Sequence, residues 1–168
     1  MEHCEVCGFA WETVSREAVA GRLAAGTAAI SGMLAGDPGG SGVRPSPERW
    51  SATEYAAHVR DVLTALRDRL VVGLVEDVPS FKPMYRDERV ALGLYRSDTA
   101  GAVADELRAA SAMFVRLFDA VDPGQLTREV LYGSPAPERR SLLWMGQQVV
   151  HEVEHHGSDI AENLGRAG

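Results

Sequence analysis

The feature that most constrains this chain is a set of four stretches in which side chains suited to a core recur three and four positions apart. Val19, Leu23, Thr27, Ile30 and Leu34 form the first, and Gly36-Asp37-Pro38-Gly39-Gly40 ends it, because Pro has no N–H for a helical bond and Gly loses the most entropy in a helix. Ser51-Ala52-Thr53-Glu54 opens the second as a capping box, in which Ser51 accepts a backbone N–H and Glu54 reaches back to the cap. Its stripe is Tyr55, Val59, Val62, Leu66 and Leu70. The third starts near Asp98, carries Val103, Leu107, Ala110, Phe114, Leu117 and Val121, and stops at Asp122-Pro123-Gly124. The fourth runs from about Ser141 to about Leu164. Stripes of this period must bury against one another, and the simplest solution is an all-α four-helix bundle.

Residues 36–49 contain Pro38, Pro45 and Pro47 and form a loop long enough to cross the end of a bundle. Residues 77–97, with Pro79 and Pro83, have no clean period and read as an irregular connection, and a short strand is expected around Val130-Leu131-Tyr132. Without repeats or linkers, and with 45% apolar and 24% charged residues in 168, the chain reads as a single domain, 1–168, with residues 1–10 a short Cys-x-x-Cys segment ahead of the bundle. The excess of 24 Asp+Glu over 17 Lys+Arg gives a net charge of -7. That balance offers no positive field to a phosphate backbone and no polybasic patch to a membrane. No apolar run approaches the roughly 20 residues of a spanning helix, and Met1-Glu2-His3-Cys4 lacks a basic region followed by an apolar stretch. A cytoplasmic protein with neither nucleic-acid nor membrane partners is therefore expected.

Three of the five histidines, His151, His155 and His156, fall within six residues on the fourth helix. Residues four apart share a helical face, so His151 pairs with His155 and Glu152 with His156. Against the stripe of Leu142, Gly146, Val149, Val153, Ile160 and Leu164, His156 lies about 60° away, Glu152 about 100°, and His151 and His155 about 160°. Only the Glu152/His156 pair borders the interior. His58, one turn before Val62 on the second helix, also points inward and supplies a third ligand. The residues alone leave two readings: a satisfied core histidine beside a polar helix face, or a three-ligand metal site with coordination positions still open.

Trp50-Ser51-x-x-Glu54-Tyr55-x-x-His58-Val59-x-Asp61-Val62, together with Glu152-x-x-x-His156-x-x-Asp159-Ile160, resembles the DinB-like metalloprotein superfamily, and within it the branch of mycothiol-dependent maleylpyruvate isomerase. The resemblance implies an up-down-down-up bundle in which one histidine of the second helix and two residues four apart on the fourth hold a divalent metal, zinc most commonly and nickel in some members. The first of those two is His in many members and Glu in the isomerase branch, so the implied ligands are His58, Glu152 and His156. It also implies a low-molecular-weight thiol, mycothiol or a relative, as cofactor, and transfer to or isomerisation of an electrophilic small molecule. An open-sited metal would make a coordinated thiol nucleophilic at neutral pH. Asp61 and Asp159 would orient the imidazoles or stand as solvated charges, and His155 is the next candidate for general base. Trp50 and Tyr55 read as core and cap packing.

His3-Cys4-Glu5-Val6-Cys7-Gly8 departs from that pattern. Two cysteines at this spacing followed by Gly can grip zinc, with His3 as a third ligand and a further group, water or a second chain completing the site, which would make the protein a homodimer. A redox dithiol and two free thiols in a tail are the alternatives. In the implied topology the start of the first helix lies opposite the His58 end, so these residues reach the bundle site only by folding back. Two function classes follow: a thiol-dependent transferase or isomerase, and a metal-binding or redox-sensing protein without turnover.

Overall fold

The computed structural model describes residues 2–165. Four long helices form the bundle: α1 (Arg16–Gly36), α2 (Ala52–Val75), α4 (Ala100–Ala120) and α5 (Leu142–Gly165), with a short α3 (Arg86–Ala91) between the second and third of them. Each buries most of the stripe expected of it: Val19, Leu23, Ile30 and Leu34 of α1 and Val59, Leu66 and Leu70 of α2 meet Val103, Leu107 and Phe114 of α4 and Val149, Val153 and Ile160 of α5. These side chains are inaccessible to water, and burying each contributes about 1.5–3 kcal/mol. Tyr55, Leu117 and Leu164 are only half-buried, and Phe118 takes the core position next to Leu117.

The contacts fix the direction of each helix. Arg22 of α1 meets Glu154 of α5, and Ile30 approaches Gly157, so α1 and α5 are parallel. Asn163 near the end of α5 donates to the carbonyl of Trp50 just before α2, so α2 is antiparallel to α5. Arg16 at the start of α1 donates to carbonyls of Asp119 and Val121, while Ser31 near its end donates to Ala104, so α4 is antiparallel to α1. The bundle is thus up-down-down-up, with α1 diagonal to α2, so that the α1–α2 connection crosses one end and the connection between the parallel α2 and α4 runs back along the bundle. Small residues let the helices approach: a Cβ on Gly146 of α5 would sit 2.5 Å from the Phe118 ring, and one on Gly26 of α1 would sit 2.5 Å from Val153.

Three local features differ from the sequence reading. Thr99 rather than Asp98 caps α4, its hydroxyl accepting from the Ala102 N–H, while Asp98 pairs with Arg60 at 3.1 Å. Helix α3 lies within the segment read as irregular, because a six-residue helix with Val90 as its one buried side chain has no period to recognise. The strand around Val130 is β1 (Glu129–Tyr132), and it pairs antiparallel with β2 (Glu138–Ser141), whose Glu-Arg-Arg-Ser sequence carries no apolar alternation. The hairpin takes a further hydrogen bond from the Leu131 N–H to the Pro79 carbonyl and walls one end of the bundle. Among the described residues one helix, Arg16–Gly36, is long and apolar enough to cross a membrane, contrary to expectation. Its large side chains Val19, Leu23, Ile30 and Leu34 are buried against α4 and α5, and its outer side is mostly small Ala and Gly.

Candidate metal centre

His58 is placed by the capping box at the head of α2, where Ser51 Oγ accepts from the Glu54 N–H at 3.2 Å and Glu54 Oε2 accepts from the Ser51 N–H at 2.8 Å. Arg44 forks onto the same carboxylate at 2.8 and 2.5 Å and ties the preceding loop to the cap. Across the interface, Glu152 and His156 stand one turn apart on α5. Glu152 Oε2 lies 3.7 Å from His58 Nε2 and 3.4 Å from His156 Nε2, and the two imidazoles meet edge to face with centroids 5.0 Å apart. One ligand atom from each residue lies within 4.8 Å of the others.

The outer atoms of His156 and Glu152 are committed. His156 Nδ1 donates to Asp159 Oδ2 at 2.9 Å, which turns Nε2 toward Glu152. Gln148 donates to Glu152 Oε1 at 2.7 Å, and the Trp11 indole donates to the Gln148 carbonyl oxygen at 2.8 Å. Burial alone would raise the Glu152 pKa, but hydrogen bonds and charge from His156 and His58 hold it well below the usual carboxylate range. Burial likewise opposes protonation of His156, but Asp159 and Glu152 outweigh it and raise the group to about 8. His58 Nδ1 is buried with no hydrogen-bond partner among the described residues. Two imidazoles and a carboxylate converging in this way, with the far atoms of His156 and Glu152 held by neighbours, form a donor set that fits a borderline divalent ion such as zinc or nickel and leaves coordination positions free.

A cavity of about 450 Å³ opens from His58 and Glu152, between α2, the segment 81–88 and the hairpin. Arg69 stands on its wall, its guanidinium 5.2 Å from the Phe81 ring and 5.9 Å from the Tyr132 ring, and it donates to the Lys82 carbonyl. Among the described residues Arg69 has no carboxylate partner, although most other arginines do. Burial and the nearby Glu152 charge push the Tyr132 phenol up to about 12, so it remains a hydrogen-bond donor at neutral pH.

The other sequence candidates fall elsewhere. Asp61 does not orient His58: its carboxylate binds Arg60, Arg89 and the Tyr95 hydroxyl, because at i+3 it faces α3 and the start of α4. His155 is not a base at the cavity mouth. Its Nδ1 faces Cys4 Sγ at 3.9 Å and its Nε2 faces Asp159 at 3.8 Å. Trp50 and Tyr55 do more than pack the cap, for Trp50 stands edge-on to His58 at 5.6 Å and Tyr55 stacks on His156 at 5.4 Å. Residues 3–10 do fold back, as a hairpin bridged at His3 and Ala10 that lies along α5. His3 is exposed and is not grouped with the cysteines; His151 and His155 are. Gln148, Arg69 and Trp11 had no motif to reveal them. Only the inward register of Gln148, one turn before Glu152, hinted at a role.

The family model of the DinB superfamily matches residues 38–160. Among solved structures the fold is similar to that of YfiT from Bacillus subtilis, described as "a probable metal-dependent hydrolase with an unusual four-helix bundle topology", with a TM-score of 0.80 over 99% of this chain and 94% of that one at 16% identity. No curated protein matches the chain.

Proposed function

The chain belongs to the DinB superfamily, and from that premise and the geometry around Glu152 we propose a divalent-metal-dependent enzyme that transfers a low-molecular-weight thiol, such as mycothiol, onto an anionic electrophile. The carrying observation is the conjunction of His58, Glu152 and His156 with a cavity whose far wall holds Arg69, which has no carboxylate partner among the described residues. His58, Glu152 and His156 would hold the ion, zinc or nickel. Bound there, the ion supplies Lewis acidity that lowers the pKa of a coordinating thiol or water.

The rest of the task falls to the protein. Asp159 and Gln148 hold His156 and Glu152 in place, so neither must reorient during turnover. Arg69, stiffened by Phe81 and Tyr132, would grip a carboxylate or similar anion and set the electrophilic carbon toward Glu152. In the transfer the thiol would give up its proton to solvent, its sulfur would bond to carbon, and the leaving group would depart into solvent with the bonding pair. Isomerisation of the same kind of substrate, as in the branch that the motifs resemble, would use the same anion grip. The likeness to YfiT favours a second reading, hydrolysis, with water in place of the thiol.

The test combines metal-loaded protein with mycothiol or bacillithiol and a carboxylate-bearing alkyl halide, with hydrolysis of a carboxylate-bearing ester run in parallel. Thiol-dependent conjugate formation above His58→Ala and free-metal controls is expected, with KM rising about tenfold or more in Arg69→Gln. Ester turnover without any thiol effect would establish the hydrolase reading instead. A rate equal to the controls in both arms would overturn catalysis at this site.

A further inference from the structure

Helix α5 carries a second set of ligands on the face away from the cavity. Cys4, Cys7, His151 and His155 each place one donor atom within 4.8 Å of the others. The cysteines come from a knuckle whose shape the backbone enforces: Gly8 donates to the Cys4 carbonyl and the Cys4 N–H to the Phe9 carbonyl, both at 2.8 Å, and Gly8 adopts φ +73, a conformation open to glycine at no steric cost. The histidines come from successive turns of α5, with ring centroids 5.2 Å apart. Phe9 and Trp11 pack on the His151 ring at 5.1 and 4.8 Å. Both nitrogens of that ring are buried without a hydrogen-bond partner among the described residues. A buried polar atom left unsatisfied costs about 1–3 kcal/mol, and a metal ion at the centroid of the four donors would satisfy one of these. His155 already directs Nδ1 toward Cys4, while its Nε2 stands 3.8 Å from Asp159, on the side away from the cysteines.

We propose that Cys4, Cys7, His151 and His155 bind one zinc ion, in a closed structural site that clamps the amino-terminal hairpin onto α5. Two thiolates and two imidazoles are a tetrahedral set typical of structural zinc. Binding releases the two thiol protons, and the resulting site is electrically neutral, which suits its place against the apolar rings of Phe9 and Trp11. The four protein ligands fill the coordination sphere and leave no position for substrate. The site thus differs in kind from the one at His58, and its existence does not depend on catalysis there.

Cobalt titration of the reduced, metal-free full chain separates the two sites, since a thiolate-to-cobalt charge-transfer band in the near ultraviolet can come only from the cysteine site. The wild-type chain and His58→Ala should both show that band with the visible bands of tetrahedral cobalt. The Cys4→Ser/Cys7→Ser double variant should lose the band and bind one fewer zinc per chain than the wild type, whatever the bundle site holds. His151→Ala and His155→Ala should each weaken zinc binding at the cysteine site by about 100-fold or more, with helical circular dichroism retained. No band, or a band and affinity unchanged by both histidine substitutions, overturns the assignment. Should the cysteine variants fail to fold, the wild-type chain still decides: zinc sufficient to fill both sites must protect exposed Cys7 from alkylation, and an unprotected thiol overturns the proposal.

Discussion

The two ligand clusters on α5 use the same local device, a pair of side chains four residues apart, yet they are built for different ends. On the inner face Glu152 and His156 meet His58 of a second helix and open onto a cavity. On the outer face His151 and His155 meet two thiols from a hairpin that covers them. Helical spacing is therefore neutral as to chemistry. What decides is the third partner: a histidine on the neighbouring antiparallel helix α2 leaves an open side, whereas a hairpin laid along α5 closes it. Asp159 touches both, accepting from His156 at 2.9 Å and facing His155 at 3.8 Å.

That contrast can be broken at its strongest point by removing a ligand. His156→Ala should empty the bundle site while leaving the thiolate-to-cobalt signal intact, and elemental analysis with cobalt spectra checks both. His151→Ala should do the reverse. If instead either variant empties both sites, the clusters are one unit and the comparison fails.

The shared carboxylate gives the next largest effect. Asp159→Asn should weaken metal at the bundle site by about 10–100-fold, the range for losing a partner behind a ligand imidazole, with a smaller loss at the cysteine site because the His155 contact is longer. Competition titration with a chelator of known affinity measures both. Gln148→Ala should weaken the bundle site alone.

Protons compete with metal for His156. Its raised pKa of about 8 in the metal-free chain means that uptake at pH 6–7 must displace a proton, so affinity at the bundle site should rise about tenfold per pH unit and level off above about pH 8. Calorimetry in buffers of different ionisation enthalpy should show close to one proton released from this group at pH 6.5 and almost none at pH 9. A flat profile would mean that His156 is not a ligand.

Smaller changes probe the link between the regions. Trp11→Phe keeps the ring but leaves the buried Gln148 oxygen without its donor, which should cost about 1–3 kcal/mol of stability in urea denaturation. Gly8→Ala has space for its methyl, so its cost of about 1–2 kcal/mol is purely conformational and should appear as weaker zinc at the knuckle.

The four apolar stripes, the capping box at Ser51 and the stops at Gly36 and Pro123 lie within local sequence, where period and backbone chemistry are read directly, and they determine the bundle. The inward register of His58, Glu152 and His156 follows from the same period, since a residue's angle on a helix is set by its number. Asp61 could not be read this way. Its angle is as clear as theirs, but Arg89 and Tyr95, which claim its carboxylate, belong to a segment without period. Tertiary structure alone decided that residues 3–10 turn back along α5, that His151 and His155 rather than His3 join the cysteines, and that Arg69 faces the cavity with no carboxylate partner among the described residues. Those outcomes depend on which surface a short hairpin or loop finds to bury, and contacts between residues some 150 positions apart leave no periodic trace in either partner.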